Sequence, residues 1–197
     1  YALPAWIKAN HQDCNGVELL EADEKDLEKI SQLTTPNQVL AVIKKFEIPA
    51  DVQTKGTVSI VLDTIQDPGN LGTIIRIADW FGIEQIICSN DCADMYNPKV
   101  VQSTMGSIAR VNLFYTDLVA WLQEQKDVFI YAGALEGQNV TAMKKINEGL
   151  VVIGNESKGI SPSIVGLVDV RITIPRKGSA ESLNAAVATG IILSHII

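Results

Sequence analysis

The sequence predicts an α/β fold, a mainly parallel sheet with helices on both faces, and three observations carry that prediction. From Val58 onward, short runs rich in β-branched residues alternate with helical patterns. Successive runs are separated by single helix-length segments, which supply the crossovers that parallel strands require. Polar, glycine-bearing clusters follow the ends of several runs, where open α/β sheets bind their ligands.

Taken in order, the chain before Lys55 reads as a helix with an acidic start over 22–33, a Thr34-Thr35-Pro36 turn and a short apolar run over 39–43. Ile48-Pro49 and Gly56 then punctuate a linker, which divides residues 1–50 from a larger domain at 51–197. Strands are expected at 58–62, 85–88, 110–114, 128–132, 150–153 and 170–174. Helices are expected between and after them at 70–82, 97–105, 116–125, 161–167 and 183–197. Ser161-Pro162 supplies a cap and a first-turn proline, and Thr116 and Asp117 open the helix carrying Trp121.

Composition narrows the function. At 197 residues and 47% hydrophobic, the chain is long enough for one α/β domain with a sizeable core. Its longest apolar stretch, 185–197, includes Thr189, Ser194 and His195 and falls short of the roughly 20 residues that span a bilayer. No membrane span and no signal peptide are read from it. The chain opens on Tyr1 and reaches an acidic helical segment with no complete domain before it, so an N-terminal truncation is expected.

Cys14, Cys88 and Cys92 are odd in number and include no C-x-x-C pair, which argues against a disulfide framework or a zinc site and for a reducing, cytoplasmic setting. His11 and His195 are the only histidines, so neither a histidine metal centre nor a Ser-His-Asp triad is expected. A net charge of -7 argues against holding nucleic acid by bulk electrostatics. One segment runs the other way: Lys144, Lys145, Lys158, Arg171, Arg176 and Lys177 face only Glu148, Glu156 and Asp169 across 141–177.

Three polar clusters carry the chemistry. The first is Asp67-Pro68-Gly69-Asn70-Leu71-Gly72-Thr73-Ile74-Ile75-Arg76. Leu71, Ile74, Ile75 and Ala78 form a buried helical stripe, and Arg76, two residues past Ile74 at about 100° per residue, turns away from it. Locally, Arg76 is a surface residue paired with Asp79, and Asn70 is a helix cap.

The second cluster is Gly154-Asn155-Glu156-Ser157-Lys158-Gly159, whose glycines allow a tight bend and close approach to a ligand. It nearly matches a phosphate-binding loop, but Ile160 stands where the lysine belongs and Glu156 brings negative charge. A neutral or cationic ligand fits better. The third cluster is Glu181-Ser182-Leu183-Asn184, where Ser182 or Asn184 could simply cap the last helix. No G-x-G-x-x-G follows the first strand, and spacing alone leaves capping and catalysis both open.

In this order, over about 58–197, the clusters resemble the SpoU/TrmH branch of the SPOUT superfamily, S-adenosyl-L-methionine-dependent RNA ribose 2'-O-methyltransferases. Asn70 and Arg76 stand at the Asn and Arg of the first motif, Glu156 at the Glu of the second, and Ser182 and Asn184 in the third. Ala185-Ala186 follows where the family often has Val-Ser, one hydroxyl fewer.

The resemblance implies a deep carboxyl-terminal trefoil knot, which chain-threading rules would not predict. It also implies a cofactor cup made of Ala134, Leu135, Gly137, Gly154, Ile174 and Leu183, and a homodimer whose active sites draw on both chains. Residues 1–50 more loosely resemble the tail of the small α/β substrate-binding domain that precedes the catalytic domain in many members. The implied reaction is methylation of a ribose 2'-hydroxyl in structured RNA, ribosomal RNA favoured over transfer RNA. Arg76 would activate the hydroxyl as a charge stabiliser, because a guanidinium with a pKa above about 12 is a poor base. Asn70, Glu156, Ser182 and Asn184 would orient it. The alternatives are a catalytically degenerate RNA-binding module and a nucleotide-using α/β enzyme, the latter without a recognisable phosphate loop.

Overall fold

The computed structural model describes all residues except Gln32, Ile48 and Ala50. Parts of the expected 22–33 helix and of the Ile48-Pro49 punctuation therefore lie outside the described residues. The chain forms two compact units, Tyr1–Phe46 and Glu47–Ile197.

The first unit contains two short helices, α1 (Pro4–Asn10) and α2 (Glu24–Ile30). Asp23 caps α2 by accepting a hydrogen bond from the Asp26 amide at 2.8 Å. The apolar run over 39–43 is not a strand. Val39 makes a single antiparallel bridge to Ala2, while Val42 and Ile43 are exposed. Helix α1 escaped the sequence reading because it buries no residue, so no apolar stripe marks it.

The second unit is built on six parallel strands: β1 (Val58–Leu62), β2 (Gln85–Ser89), β3 (Asn112–Thr116), β4 (Ile130–Asn139), β5 (Gly149–Ile153) and β6 (Val170–Thr173). Their order across the sheet is β3-β2-β1-β5-β4-β6. The connections are α3 (Pro68–Trp80), α4 (Pro98–Ser103), α5 (Leu118–Glu124) and α6 (Pro162–Val165), and α7 (Ala185–Ile196) follows β6.

Alternate strand residues feed two cores. Ile60, Leu62, Ile86, Cys88, Val151 and Ile153 cluster with residues of α3, α4 and α7. Val61, Ile87, Leu150 and Val152 cluster with Leu118 and Leu122 of α5 and Ile164 of α6. Burial on both faces explains why β5 reads as an unbroken apolar run and β1 as one interrupted only by the buried Ser59. Gly72 lets α3 and α4 meet closely, since a Cβ there would lie 2.7 Å from the Val100 carbonyl oxygen.

Two strands differ from expectation for identifiable reasons. β3 starts two residues late because residues 107–109 form a 3-10 turn that the Arg110 amide closes by donating to the Ser107 carbonyl at 2.9 Å. β4 runs longer because Gly133 and Gln138 both register with Ile172 of β6, and residues 134–137 bow out between them. Among the described residues, no helix is long and apolar enough to cross a membrane.

Candidate active site

Strand order reverses between β1 and β5, so the crevice for a ligand lies at the carboxyl ends of those two neighbours. The first and second polar clusters leave the sheet there. Helix α3 is capped by Asp67, whose carboxylate accepts from the Asn70 amide at 2.8 Å, with Pro68 in the first turn. Asn70 is thus not the cap, and its side chain is free for another task. Its Nδ2 donates to Glu156 Oε1 at 2.6 Å, and its Oδ1 accepts from Asn184 Nδ2 at 2.7 Å.

Asn184 caps the last helix and also reaches the first cluster. Its Oδ1 accepts from the Ala186 and Val187 amides at 3.0 and 3.2 Å, capping α7, while its Nδ2 reaches Asn70. Donor and acceptor roles are fixed from both ends, because helix amides only donate and a carboxylate only accepts. The resulting relay runs from the α7 amides through Asn184 and Asn70 to Glu156, each amide polarising the next. It joins all three clusters.

The second cluster is a closed loop. Asn155 and Gly159 exchange backbone hydrogen bonds at 3.0 and 2.9 Å, and Gly159 sits at a φ of +71°. A Cβ on Gly154 would run into the backbone of Gly159 and Ile160. These glycines let the loop close on itself; their amides do not form a ligand-facing nest. Ser161 precedes Pro162 of α6 as expected but makes no side-chain capping bond.

Arg76 and Ser182 are exposed, and neither joins the relay. Arg76 lies on α3 about 9 Å along the axis from Asn70. Its expected pairing with Asp79 does not form, because Arg110 grips Asp79 through Nε at 3.0 and 3.1 Å and through a terminal nitrogen at 2.7 Å. With Ser107 also donating at 2.6 Å, the Asp79 carboxyl is held down at about 2. Among the described residues, nothing engages the Arg76 guanidinium.

The proposed cup residues occupy the same edge. Ala134, Leu135 and Gly137 lie in the bowed segment of β4, and the Leu135 carbonyl accepts from Thr173 Oγ1 at 2.9 Å. Leu135 is 75% exposed and Leu183 47%, with Ile174 and Gly154 half-buried. Exposed leucines beside irregular backbone offer what a flat adenine needs, so these residues fit S-adenosyl-L-methionine. Among the described residues no group of His, Cys, Asp and Glu could hold a metal ion, and the three cysteines are free.

Two residues that sequence reasoning passed over, Asp63 and Thr64, lie beneath the relay. Asp63, only 4% exposed, accepts from the Ser161 amide at 2.6 Å and from Thr64 Oγ1 at 3.0 Å. Asn155 Nδ2 donates to the Thr64 carbonyl at 2.9 Å. Thr64 adopts a φ of 59°, which for a β-branched residue costs about 1–3 kcal/mol. An acid closing a mostly apolar strand was the available signal, since Asp63 directly follows Leu62.

A profile of the SpoU rRNA Methylase family matches residues 57–194. Among curated relatives, the 23S rRNA (guanosine(2553)-2'-O)-methyltransferase RlmP of Bacillus subtilis is 29% identical, over 92% of this chain and 73% of its own length. The 23S rRNA (uridine(2479)-2'-O)-methyltransferase of Streptomyces viridochromogenes is 32% identical, over 91% of this chain and 64% of its own. Across such relatives the chain spans 57% to 73% of their length.

Among solved structures, the AdoMet-bound rRNA methyltransferase from Sinorhizobium meliloti superposes with a TM-score of 0.84 at 28% identity, covering 97% of this chain and 76% of that one. The SpoU methyltransferase AviRb from Streptomyces viridochromogenes, in complex with AdoMet, superposes with a TM-score of 0.81 at 26% identity, covering 98% and 77%. Profile, fold and the ordered clusters agree: the chain belongs to the SpoU rRNA methylase family.

Proposed function

We propose that this protein transfers a methyl group from S-adenosyl-L-methionine to a ribose 2'-hydroxyl of structured RNA, with ribosomal RNA as substrate. The carrying observation is the relay of Asn184, Asn70 and Glu156 beside an Arg76 that has no partner among the described residues. A structural network would use that arginine; this one spends Asp79 on Arg110 and leaves Arg76 available.

S-adenosyl-L-methionine, when bound against Leu135, Ile174 and Leu183 and the backbone of Ala134, Gly137 and Gly154, supplies an electrophilic methyl group. The chain's residues then align the nucleophile. Arg76 holds its guanidinium against the 2'-oxygen as that oxygen loses its proton, stabilising the developing charge. It cannot accept the proton itself, which passes to water or to an RNA phosphate. Glu156 has Oε1 committed to Asn70, and its other oxygen is open to a ribose hydroxyl. Ser182, with its hydroxyl unspent, contacts the same nucleotide.

Helix α7 begins beside Asn70 at β1, although it follows β6 at the far side of β5 and β4. That return path supports the trefoil knot the resemblance implies. The half-buried and exposed α7 residues Val187, Ile191 and His195 support a homodimer in which Arg76 serves an active site completed by the partner. Residues 1–50 are read as the tail of an RNA substrate-binding domain, and the setting as cytoplasmic.

The test is transfer of labelled methyl groups from S-adenosyl-L-methionine to ribosomal and transfer RNA, with digestion to nucleosides and a map of 2'-O-methyl sites in cells lacking the gene. Label recovered as 2'-O-methylnucleoside from ribosomal RNA is expected. RNA binding without transfer would mark a degenerate binding module, and label on transfer RNA alone would reverse the substrate assignment.

A further inference from the structure

The relay works only if two loops from neighbouring strands stay in register beyond the sheet. The last rung between β1 and β5 is the Asp63 amide donating to the Ile153 carbonyl at 2.9 Å. Past that rung two side chains cross in opposite directions. Asp63 reaches from the end of β1 to the Ser161 amide, at the far end of the second-cluster loop. Asn155 reaches back from the near end of that loop to the Thr64 carbonyl. Glu156 lies between the two anchor points.

Thr64 is where both crossings are secured. Its amide donates to Ser89 Oγ at 2.9 Å and its hydroxyl to Asp63, while its carbonyl serves Asn155. The left-handed backbone at this residue is held at once by Ser89 of β2, by Asp63 just past β1 and by Asn155 just past β5. Asn155 also has a purely local role, its Oδ1 accepting from the Ser157 and Lys158 amides at 3.0 and 3.1 Å. The two halves of its amide can therefore be separated by substitution.

We propose that Asp63 and Asn155 are positioning residues for methyl transfer: together they pin the 155–161 loop to the exit of β1 so that Glu156 meets Asn70. The inference rests on the proposed function for its kinetic consequence and on geometry alone for its structural one. Asn155→Asp keeps the Oδ1 acceptor and its turn, but sets a carboxylate oxygen against the Thr64 carbonyl. Asp63→Asn keeps an acceptor for the Ser161 amide and can offer its NH2 to the Thr64 hydroxyl, which accepts as readily as it donates. Asp63→Ala offers neither.

The experiment measures kcat and the KM for S-adenosyl-L-methionine alongside the Asn70 side-chain amide signal in 1H–15N spectra. In Asn155→Asp, kcat should fall on the order of 100-fold, the scale of a misplacement near 1 Å, and the Asn70 signal should lose its carboxylate-bound shift. The cofactor KM should stay within about threefold, as expected for an interaction used in the transition state. Should Asn155→Asp fail to fold, the Asp63 pair carries the same test, with Asp63→Ala impaired and Asp63→Asn restoring both kcat and the Asn70 signal. An unchanged Asn70 signal or an unchanged kcat overturns the inference. A wild-type protein that methylates no RNA would instead sink the proposed function, and the Asn70 signal would still decide whether the crossing holds the loop.

Discussion

At the amino-terminal edge of the sheet, the segment before β1 is stitched to its neighbours by exposed and half-buried side chains. Gln53 and Gln85 exchange two hydrogen bonds at 2.8 Å, Thr54 donates to Gln125 at 3.3 Å, and Lys55 pairs with Asp127 at 3.2 Å. At the carboxyl edge a similar number of side chains cross between elements, from the exposed Asn184–Asn70 bond to the part-buried bonds of Asn155 and Asp63. They include an acid 4% exposed and a strained threonine. Hydrogen bonds in water trade one partner for another at little net gain, whereas those out of water are costly to break and fix direction. The first edge fastens the chain; the second aims it.

The sharpest way to break this contrast is Arg76→Ala. If the carboxyl edge aims groups at a reacting atom, removing its uncommitted cation should lower kcat by about 100- to 1000-fold. Cofactor affinity by calorimetry should change little, because no cup residue depends on Arg76. Comparable activity in this variant would reduce the carboxyl edge to a second fastening.

Gly154→Ala tests how tightly that edge is packed. The added Cβ meets the backbone of Gly159 and Ile160, and backbone cannot swing aside as a flexible side chain can. Overpacking of this kind costs about 1–3 kcal/mol, so the urea midpoint should drop with the slope unchanged. A glycine substitution of the same size at exposed Gly178, where nothing lies within 4 Å, should leave the midpoint in place.

Asn184→Ser sharpens the comparison within a single residue. Serine caps a helix about as well as asparagine, so α7 should keep its amino-terminal bonds and the protein its melting temperature. The amide that holds Asn70 is lost, and kcat should fall about 10-fold, the worth of one neutral hydrogen bond near 1.4 kcal/mol. A melting temperature that fell in proportion to activity would mean that Asn184 is only a cap.

These partner choices also mark where sequence reading stopped. The strands were legible because burial on both faces leaves runs rich in β-branched and other apolar residues, and α3 because Leu71, Ile74, Ile75 and Ala78 repeat at helical spacing. The clusters were visible as residue types. What spacing could not decide was competition between neighbours. Asp67 takes the cap that Asn70 could have filled, and Arg110 takes the carboxylate that Arg76 could have filled. In each case the winner is set by three-dimensional placement. Arg110 lies 31 residues from Asp79, and Asn184 lies 114 from Asn70. Thr64 and Asp63 were missed because their signal, an acid and a threonine after a strand, is also how an ordinary turn begins.

Lys55→Ala gives the smallest expected effect and guards the other end of the comparison. The Lys55 and Asp127 side chains are 68% and 75% exposed, so their attraction is screened and offset by the entropy of holding two long side chains. The unfolding free energy should shift by less than about 0.5 kcal/mol, and methyl transfer should not change. Raising salt should erase even that shift, whereas the part-buried Asp63 and Asn155 crossings, each made to a neutral backbone group, should be nearly indifferent to it. A large loss of activity in Lys55→Ala would mean that the amino edge communicates with the site, and that the two edges are not the separate devices their exposure implies.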